Sequence, residues 1–228
     1  MNTTPHQYYP LGLSLPHFTT NESSTLTLIA QFGVLWAAAV GFAWVLIGKI
    51  RPTASTADRI AFTWMCLTGW IHFFFEAHFV INHEILAGSQ TLFGQLWKEY
   101  SLSDSRYLTS NSFLVTMEAV TAFAWGPLAF IIAYCIAVQH PIRHPLQMIL
   151  SCGQIYGDVL YYATSLFELY VHGVEFCRPE GYYFWFYYFF FNAIWMVIGS
   201  YYVFESVCEI TNAFRRLGEL EKKTKNQK

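Results

Sequence analysis

The sequence predicts an all-α membrane protein in which five transmembrane helices enclose an intramembrane cavity. Three observations predict it. The chain is 54% hydrophobic and only 12% charged, against about 25% charged in an ordinary soluble domain. It contains five apolar runs, each near the roughly 20 residues that a bilayer crossing needs. Its Lys and Arg fall unevenly between the connections that those runs define.

The first run spans about Leu26 to Gly48 and carries no charge. The second, about Ile60 to Asn82, contains His72, Glu76 and His78. The third, about Ser112 to Val138, contains Glu118. The fourth, about Leu146 to Glu168, contains Gln154 and Asp158. The fifth, about Tyr182 to Phe204, contains Asn192 and Trp195. This divides the chain into an N-terminal segment (1–25), a membrane domain (26–208) and a basic tail (209–228). No Lys or Arg precedes Lys49, so the basic start of a cleaved signal peptide is missing and the first run is expected to stay as a span.

Alternating the five spans places Lys49, Arg51, Arg59, Arg143 and the six basic residues of the tail on one side. Lys98, Arg106 and Arg178 fall on the other, ten against three. By the positive-inside rule the richer side is cytosolic. The N-terminus is then lumenal and the tail cytosolic. A sequon at Asn21-Glu-Ser23 lies on the lumenal side, close enough to the first span that no glycan is expected there. The connection of about 30 residues between spans two and three mixes aromatic residues with charges of both signs. It reads either as a functional lid or as a solvated lumenal linker.

The polar groups within the spans carry the chemistry. An ionisable side chain at a span centre costs about 2.5–3.5 kcal/mol on insertion scales, and is a functional hypothesis by default. Glu76, Glu118 and Asp158 lie on three spans, and no span holds a Lys or Arg to neutralise them. His72 and Glu76, at i and i+4, share a helix face and can hold a proton between them. Glu118 shares a face with Thr121, Gln154 with Asp158, and Asn192 with Trp195. At about 1.5 Å per residue, Glu76 and Glu118 lie about 9 Å below the lumenal end, His72, Asp158 and Asn192 about 15 Å, and Trp195 about 20 Å. Polar groups from four helices thus share one layer. Taken singly, Thr121 and Asn192 read as interhelical glue, Trp195 as packing, and Asp158 as part of a packing knot around Gly157. Agreement in depth argues for a common site.

Such a site suits proton addition to, and removal from, an apolar substrate. An alkene that takes a proton becomes a carbocation, which a Trp face stabilises by about 2 kcal/mol when desolvated, and which carboxylates stabilise electrostatically. No cofactor is expected, because neither a dinucleotide fingerprint nor a phosphate-binding loop is present. No metal is expected. His140-Pro-Ile-Arg-His144 has the HxxxH spacing, but Pro141 breaks the helix such a box requires, and the other His are scattered. The five Cys have neither disulfide nor zinc spacing. A net charge of −2 argues against nucleic acid as a partner.

Seven segments resemble the emopamil-binding-protein family of sterol Δ8–Δ7 isomerases, in order and across about residues 27–210. They are Gly69-Trp-Ile-His-Phe-Phe-Phe-Glu76, Leu96-Trp-Lys-Glu-Tyr100, Asp104-Ser-Arg-Tyr107, Thr116-Met-Glu-Ala-Val-Thr121, Trp125-Gly-Pro127, Gly153-Gln-Ile-Tyr-Gly-Asp-Val-Leu-Tyr161, and Tyr183-Phe-Trp-Phe-Tyr187 through Asn192-Ala-Ile-Trp195. The resemblance implies an endoplasmic-reticulum enzyme that protonates a sterol at C9 and removes a proton from C7. It implies His72, Glu76 and Glu118 as catalytic groups. Thr121, Asn192, Trp195, Asp158, Tyr100 and Tyr107 would contact substrate. It further implies a homodimer in membrane lipid, and inhibition by cationic amphiphilic amines that mimic the carbocation. The sigma-2 receptor family shares this architecture and offers the alternative, a sterol- or drug-binding protein without catalysis. Its members have four spans and lack the one that here carries Asn192 and Trp195. A transporter would show an internal repeat or broken helices, and neither is visible.

Overall fold

A computed structural model of the chain describes residues 6–227. The first five residues of the expected N-terminal segment and the last residue of the basic tail lie outside the described residues. All regular structure among the described residues is helical.

Helix α1 (Thr25–Ile50) starts at Ser24, whose hydroxyl accepts from the Thr27 amide. It buries little more than Leu28, Ala43 and Ile47, so it flanks the bundle. Helix α2 (Thr56–Trp70) is capped in the same way by Ser55. It continues through a π-helical stretch, Ile71–Glu76, into α3 (Ala77–Asn82). A second helical rod joins α5 (Ser112–Val120) to α6 (Gly126–Ala137) through a π turn at Thr121–Trp125, with α4 (Leu92–Tyr100) lying between the two rods in sequence. Pro127 has no amide hydrogen to return to the preceding turn. The Gly126 amide instead reaches back five residues to the Thr121 carbonyl. The two π stretches pack on each other. A Cβ on Gly126 would lie 3.0 Å from the Phe73 backbone nitrogen, so the close approach needs glycine there.

Helix α7 (Arg143–Phe167) runs along α8 (Phe191–Asn226), which is entered through a π stretch at Tyr183–Phe190. Four stretches are long and apolar enough to cross a membrane: Thr25–Ile50, Thr56–Asn82, Ser112–Ala137 and Tyr183–Asn226. The protein is therefore an all-helical membrane protein with four candidate spans. The fourth expected span, about Leu146–Glu168, forms the 25-residue helix α7 but falls outside that set. The reason is composition, since α7 carries Gln147, Ser151, Gln154 and Asp158 along its length.

Two apolar clusters flank a polar layer. One joins Ala43 and Ile47 of α1 to Phe62 and Met65 of α2, Ile132 and Ile136 of α6, Leu150 of α7 and Tyr202 of α8. Beyond it Arg51 bonds Asp58 (2.9 Å), Arg143 bonds the same carboxylate, and Gln147 donates to Glu205 (2.8 Å). The other cluster joins Tyr8, Leu15 and Phe18 to Phe79, Leu86, Trp97, Leu102, Tyr107, Leu114, Tyr161 and Tyr188.

The second cluster corrects the reading of the 83–111 connection as a solvated linker. It is a packed cap. Its α4 is capped by Thr91, and a 3-10 turn, Ser105–Leu108, is capped by Asp104. Lys98, Asp104 and Arg106 are buried within it. The N-terminal segment is part of the same body. Lys98 Nζ donates to the Thr19 carbonyl (2.9 Å), Tyr8 Oη to the Lys98 carbonyl (3.1 Å), and Ser23 N to the Gln95 side chain (2.8 Å). Asn21, of the sequon, donates its amide to the Gln95 carbonyl (3.0 Å). Burial pulls the Lys98 ammonium down to about 8.

Candidate active site

Between the two clusters lies a chamber of about 60 Å³ lined from the cap and all the surrounding rods. The π stretch Ile71–Glu76 contributes His72 and Glu76. The rod Ser112–Ala137 contributes Glu118, Thr121 and Trp125, α7 contributes Gln154 and Asp158, and α8 contributes Asn192 and Trp195. The cap contributes Tyr107. Eight of the nine residues that the sequence singles out line this one space, and the ninth, Tyr100, stands directly behind it.

His72 Nδ1 lies 2.7 Å from Glu76 Oε2. The i, i+4 contact expected of a regular α-helix thus persists although the backbone there is π-helical. Nε2 of the same ring lies 2.9 Å from the Gln154 amide nitrogen. Trp195 covers the ring, with centroids 4.9 Å apart and planes 33° apart, and its ring centroid also lies 5.1 Å from that of Trp64. Glu118 is buried and accepts the Tyr107 hydroxyl at 2.7 Å. Burial, and then the neighbouring Glu118 carboxylate, hold the Tyr107 phenol well above its usual range, so Tyr107 serves as a donor. Asp158 Oδ2 is buried without a hydrogen-bond partner. Asn192 donates to the Tyr100 hydroxyl (3.0 Å) and to the Tyr188 carbonyl (2.6 Å). Tyr100 therefore orients Asn192 from behind the chamber wall. Thr121 bonds the Met117 carbonyl (3.0 Å).

Two glycines shape the space. A Cβ on Gly153 would come within 2.6 Å of the Trp125 ring, so glycine lets that indole lie flat against α7. Gly157 has no atom within 4 Å of where its Cβ would be and lines the chamber. It is not the centre of a packing knot, as the sequence reading of the Asp158 motif allowed. Sequence reasoning also passed over Trp125 and the bond from Gln154 to His72. The spacing of Gln154 and Asp158 on one face was the available signal for Gln154.

Three carboxylates and one imidazole thus share a chamber whose wall holds no Lys or Arg. No cluster of three or more His, Cys, Asp or Glu among the described residues is arranged to hold a metal ion. On the other side of Trp64 and Trp195, α2 and α8 diverge into an apolar groove of about 490 Å³. Ala57, Ile60, Trp64, Val197, Ile198, Tyr201 and Tyr202 line it, with Glu205 at its far end.

These features define a polytopic helical membrane protein with a buried acid–base chamber and no visible cationic counter-charge. The EXPERA (EXPanded EBP superfamily) model matches residues 92–206. The chain is 38% identical over 223 residues to the 3-beta-hydroxysteroid-Delta(8),Delta(7)-isomerase of Rattus norvegicus, covering 97% of this chain and 96% of the relative. It is 39% identical to the protein of that name from Mus musculus (93% and 92% covered) and 35% identical to that from Cavia porcellus (97% and 96%). The chain belongs to the EXPERA family.

Proposed function

We propose that this protein is a sterol Δ8–Δ7 isomerase. One observation carries the reading: a buried His72 paired with a half-buried Glu76 and facing two further carboxylates, under an indole face, with no Lys or Arg in the wall. The names of the relatives support it. A protonated carboxyl in the chamber gives its proton to C9. The new C–H bond takes the electrons of the C8=C9 double bond and leaves a cation at C8. Trp195 and the remaining carboxylates stabilise that cation. The C7–H electrons then form C7=C8, and a carboxylate takes the departing proton. No electrons enter or leave. His72, Glu76 and Glu118 are the catalytic groups in this reading. Thr121, Asn192, Asp158 and Tyr107 contact the sterol, with Tyr100 acting through Asn192.

A pocket for a drug-sized ligand occupies about 300–1,000 Å³. The chamber of about 60 Å³ is too small for four fused rings. The groove between α2 and α8, at about 490 Å³, has the volume. In this reading the B/C ring junction that carries C8 and C9 meets the chamber, and the apolar remainder of the sterol extends toward the groove.

The finer assignments follow from the same reading. Helix α7 is the remaining crossing of a five-helix membrane domain, 26–208. Its polar face is turned to the chamber, and that explains its low hydropathy. Five crossings put ten of the 13 Lys and Arg on the cytosolic side. They leave the 1–25 segment lumenal and the 209–228 tail cytosolic. The membrane is that of the endoplasmic reticulum, the enzyme pairs with a second copy through its membrane helices, and protonated amphiphilic amines bind as cation mimics.

The test is conversion of a Δ8 sterol in deuterated water by membranes carrying the wild-type chain or Glu76→Gln. Wild-type conversion with deuterium gained at C9, and its loss in the variant at equal expression, is the expected result. A wild-type chain that binds the sterol without converting it would move the protein to the non-catalytic binding class.

A further inference from the structure

We infer that Gln154 is a positioning residue that fixes which nitrogen of His72 carries the proton, and so makes Glu76 Oε1 the atom that exchanges a proton with the substrate. The inference rests on the isomerase reading for its consequence but not for its geometry.

His72 is 3% exposed and both of its ring nitrogens are engaged. Nδ1 meets Glu76 Oε2 at 2.7 Å and Nε2 meets the Gln154 amide nitrogen at 2.9 Å. An NH₂ group can only donate. Nε2 must therefore accept, and in a neutral imidazole the proton then sits on Nδ1, where it is donated to Glu76. Neither nitrogen is left to meet a sterol, and the ring face is covered by Trp195. Within the pair only Glu76 Oε1 remains free. The proton moves between Glu76 Oε1 and the substrate carbon. His72 Nδ1–H stays on Oε2 and stabilises the carboxylate each time the proton leaves.

The other titratable groups facing the pair are Glu118 from α5, Asp158 and Tyr161 from α7, and Tyr107 from the cap; Asn192 and Trp195 from α8 do not titrate. None of them bonds His72, so a change at Gln154 reads out on the imidazole directly. Gln154→Glu supplies an acceptor in place of a donor. It holds a proton on Nε2, and the pair keeps its proton to higher pH.

Two measurements test this on the full chain in nanodiscs. The first is the pH profile of kcat/KM for isomerisation. Gln154→Glu is expected to move the alkaline limb up by about one unit, with cationic-amine binding retained or tightened and the thermal midpoint equal to or below that of wild type. Gln154→Leu is expected to lower kcat more than tenfold with KM within about threefold. A Gln154→Glu profile that superimposes on wild type along the pH axis, changed only in height, would reduce Gln154 to packing. The second is the ¹⁵N spectrum of the histidine rings, with His72 assigned by its loss in His72→Ala. A neutral, Nδ1-protonated ring is expected in wild type, and an Nε2-protonated neutral ring overturns the inference. This second measurement needs no turnover. It therefore separates failure of the Gln154 assignment from failure of the isomerase reading.

Discussion

The cap and the chamber both bury ionisable groups, and the Asp104–Arg106 pair of the cap is treated in the opposite way from the chamber carboxylates. In the cap the buried Asp104 and Arg106 answer each other. Asp104 takes three bonds from the Arg106 guanidinium, at 2.9, 3.1 and 2.6 Å, and a fourth from the Arg106 amide. The guanidinium also bonds Thr164 (2.9 Å) and lies over the Tyr161 ring. In the chamber a few ångströms away, Asp158 keeps an oxygen unpaired, and Glu118 has a phenol where a cation would neutralise it. Charges answered by opposite charges hold a fold together. Charges left without an answer cost stability, and in the proposed reading the groups that persist in that state are those the chemistry uses. The difference separates structure from function residue by residue.

It also says what substitutions should do on each side. The largest effect is expected in the chamber. Glu118→Gln should lower isomerisation by 10²–10⁴-fold, the range of general acid–base catalysis, while the thermal midpoint in detergent holds or rises, since a buried carboxylate without a cation has been removed. Asp104→Asn should do the reverse. It leaves a buried guanidinium without its charge, a change worth about 3–5 kcal/mol. The unfolding midpoint should fall sharply while activity per folded molecule stays within a fewfold. An Asp104→Asn protein that unfolds like wild type yet loses activity would place the cap in the chemistry and dissolve the contrast.

How far this division was legible in the sequence depends on which distances the residues fix. The rise along a helix is constant, so depth arithmetic aligned Glu76, Glu118, Asp158 and Asn192, and the structure brings them into one chamber. Rotation about a helix axis relative to a neighbour is set by packing and not by spacing. For that reason the bond from Gln154 on α7 to His72 beyond α2, 82 positions away, was not readable. The π stretches at Ile71–Glu76 and Thr121–Trp125 have only one sequence mark between them, Pro127. The cap was misread because its evidence is non-local. Lys98 looks like a surface residue until Thr19, 79 positions earlier, is laid against it. A polar, mixed-charge stretch is a linker when alone and a core when its partners arrive. Helix α7 shows the converse: the polar face it turns to the chamber lowers the hydropathy by which a span would be marked.

Tyr107 sits where the two regions join, packed in the cap and bonded to Glu118. Tyr107→Phe should therefore show both signatures at reduced size. Isomerase kcat should fall about tenfold as Glu118 loses its donor. Stability should fall by about 1 kcal/mol, the usual net worth of one hydrogen bond. A change in only one of the two would assign Tyr107 wholly to one region.

The smallest effect expected is at Lys98, and it is legible only as a pH dependence. The ammonium is held at about 8 against an ordinary value of 10.5, chiefly by burial and partly offset by Glu22. Between those two values the folded protein binds fewer protons than the unfolded chain. Stability should therefore rise with pH across that window, and below about 8 the full cost of burying the charge is present. Lys98→Met removes the titration, so its thermal midpoint should run flat relative to wild type from pH 8 to pH 10. The two curves should change their separation by on the order of 1 kcal/mol or more across the window, at about 1.4 kcal/mol per pKa unit. Parallel curves would mean that Lys98 is solvated in the folded protein, and the cap would then lose its claim to be a core.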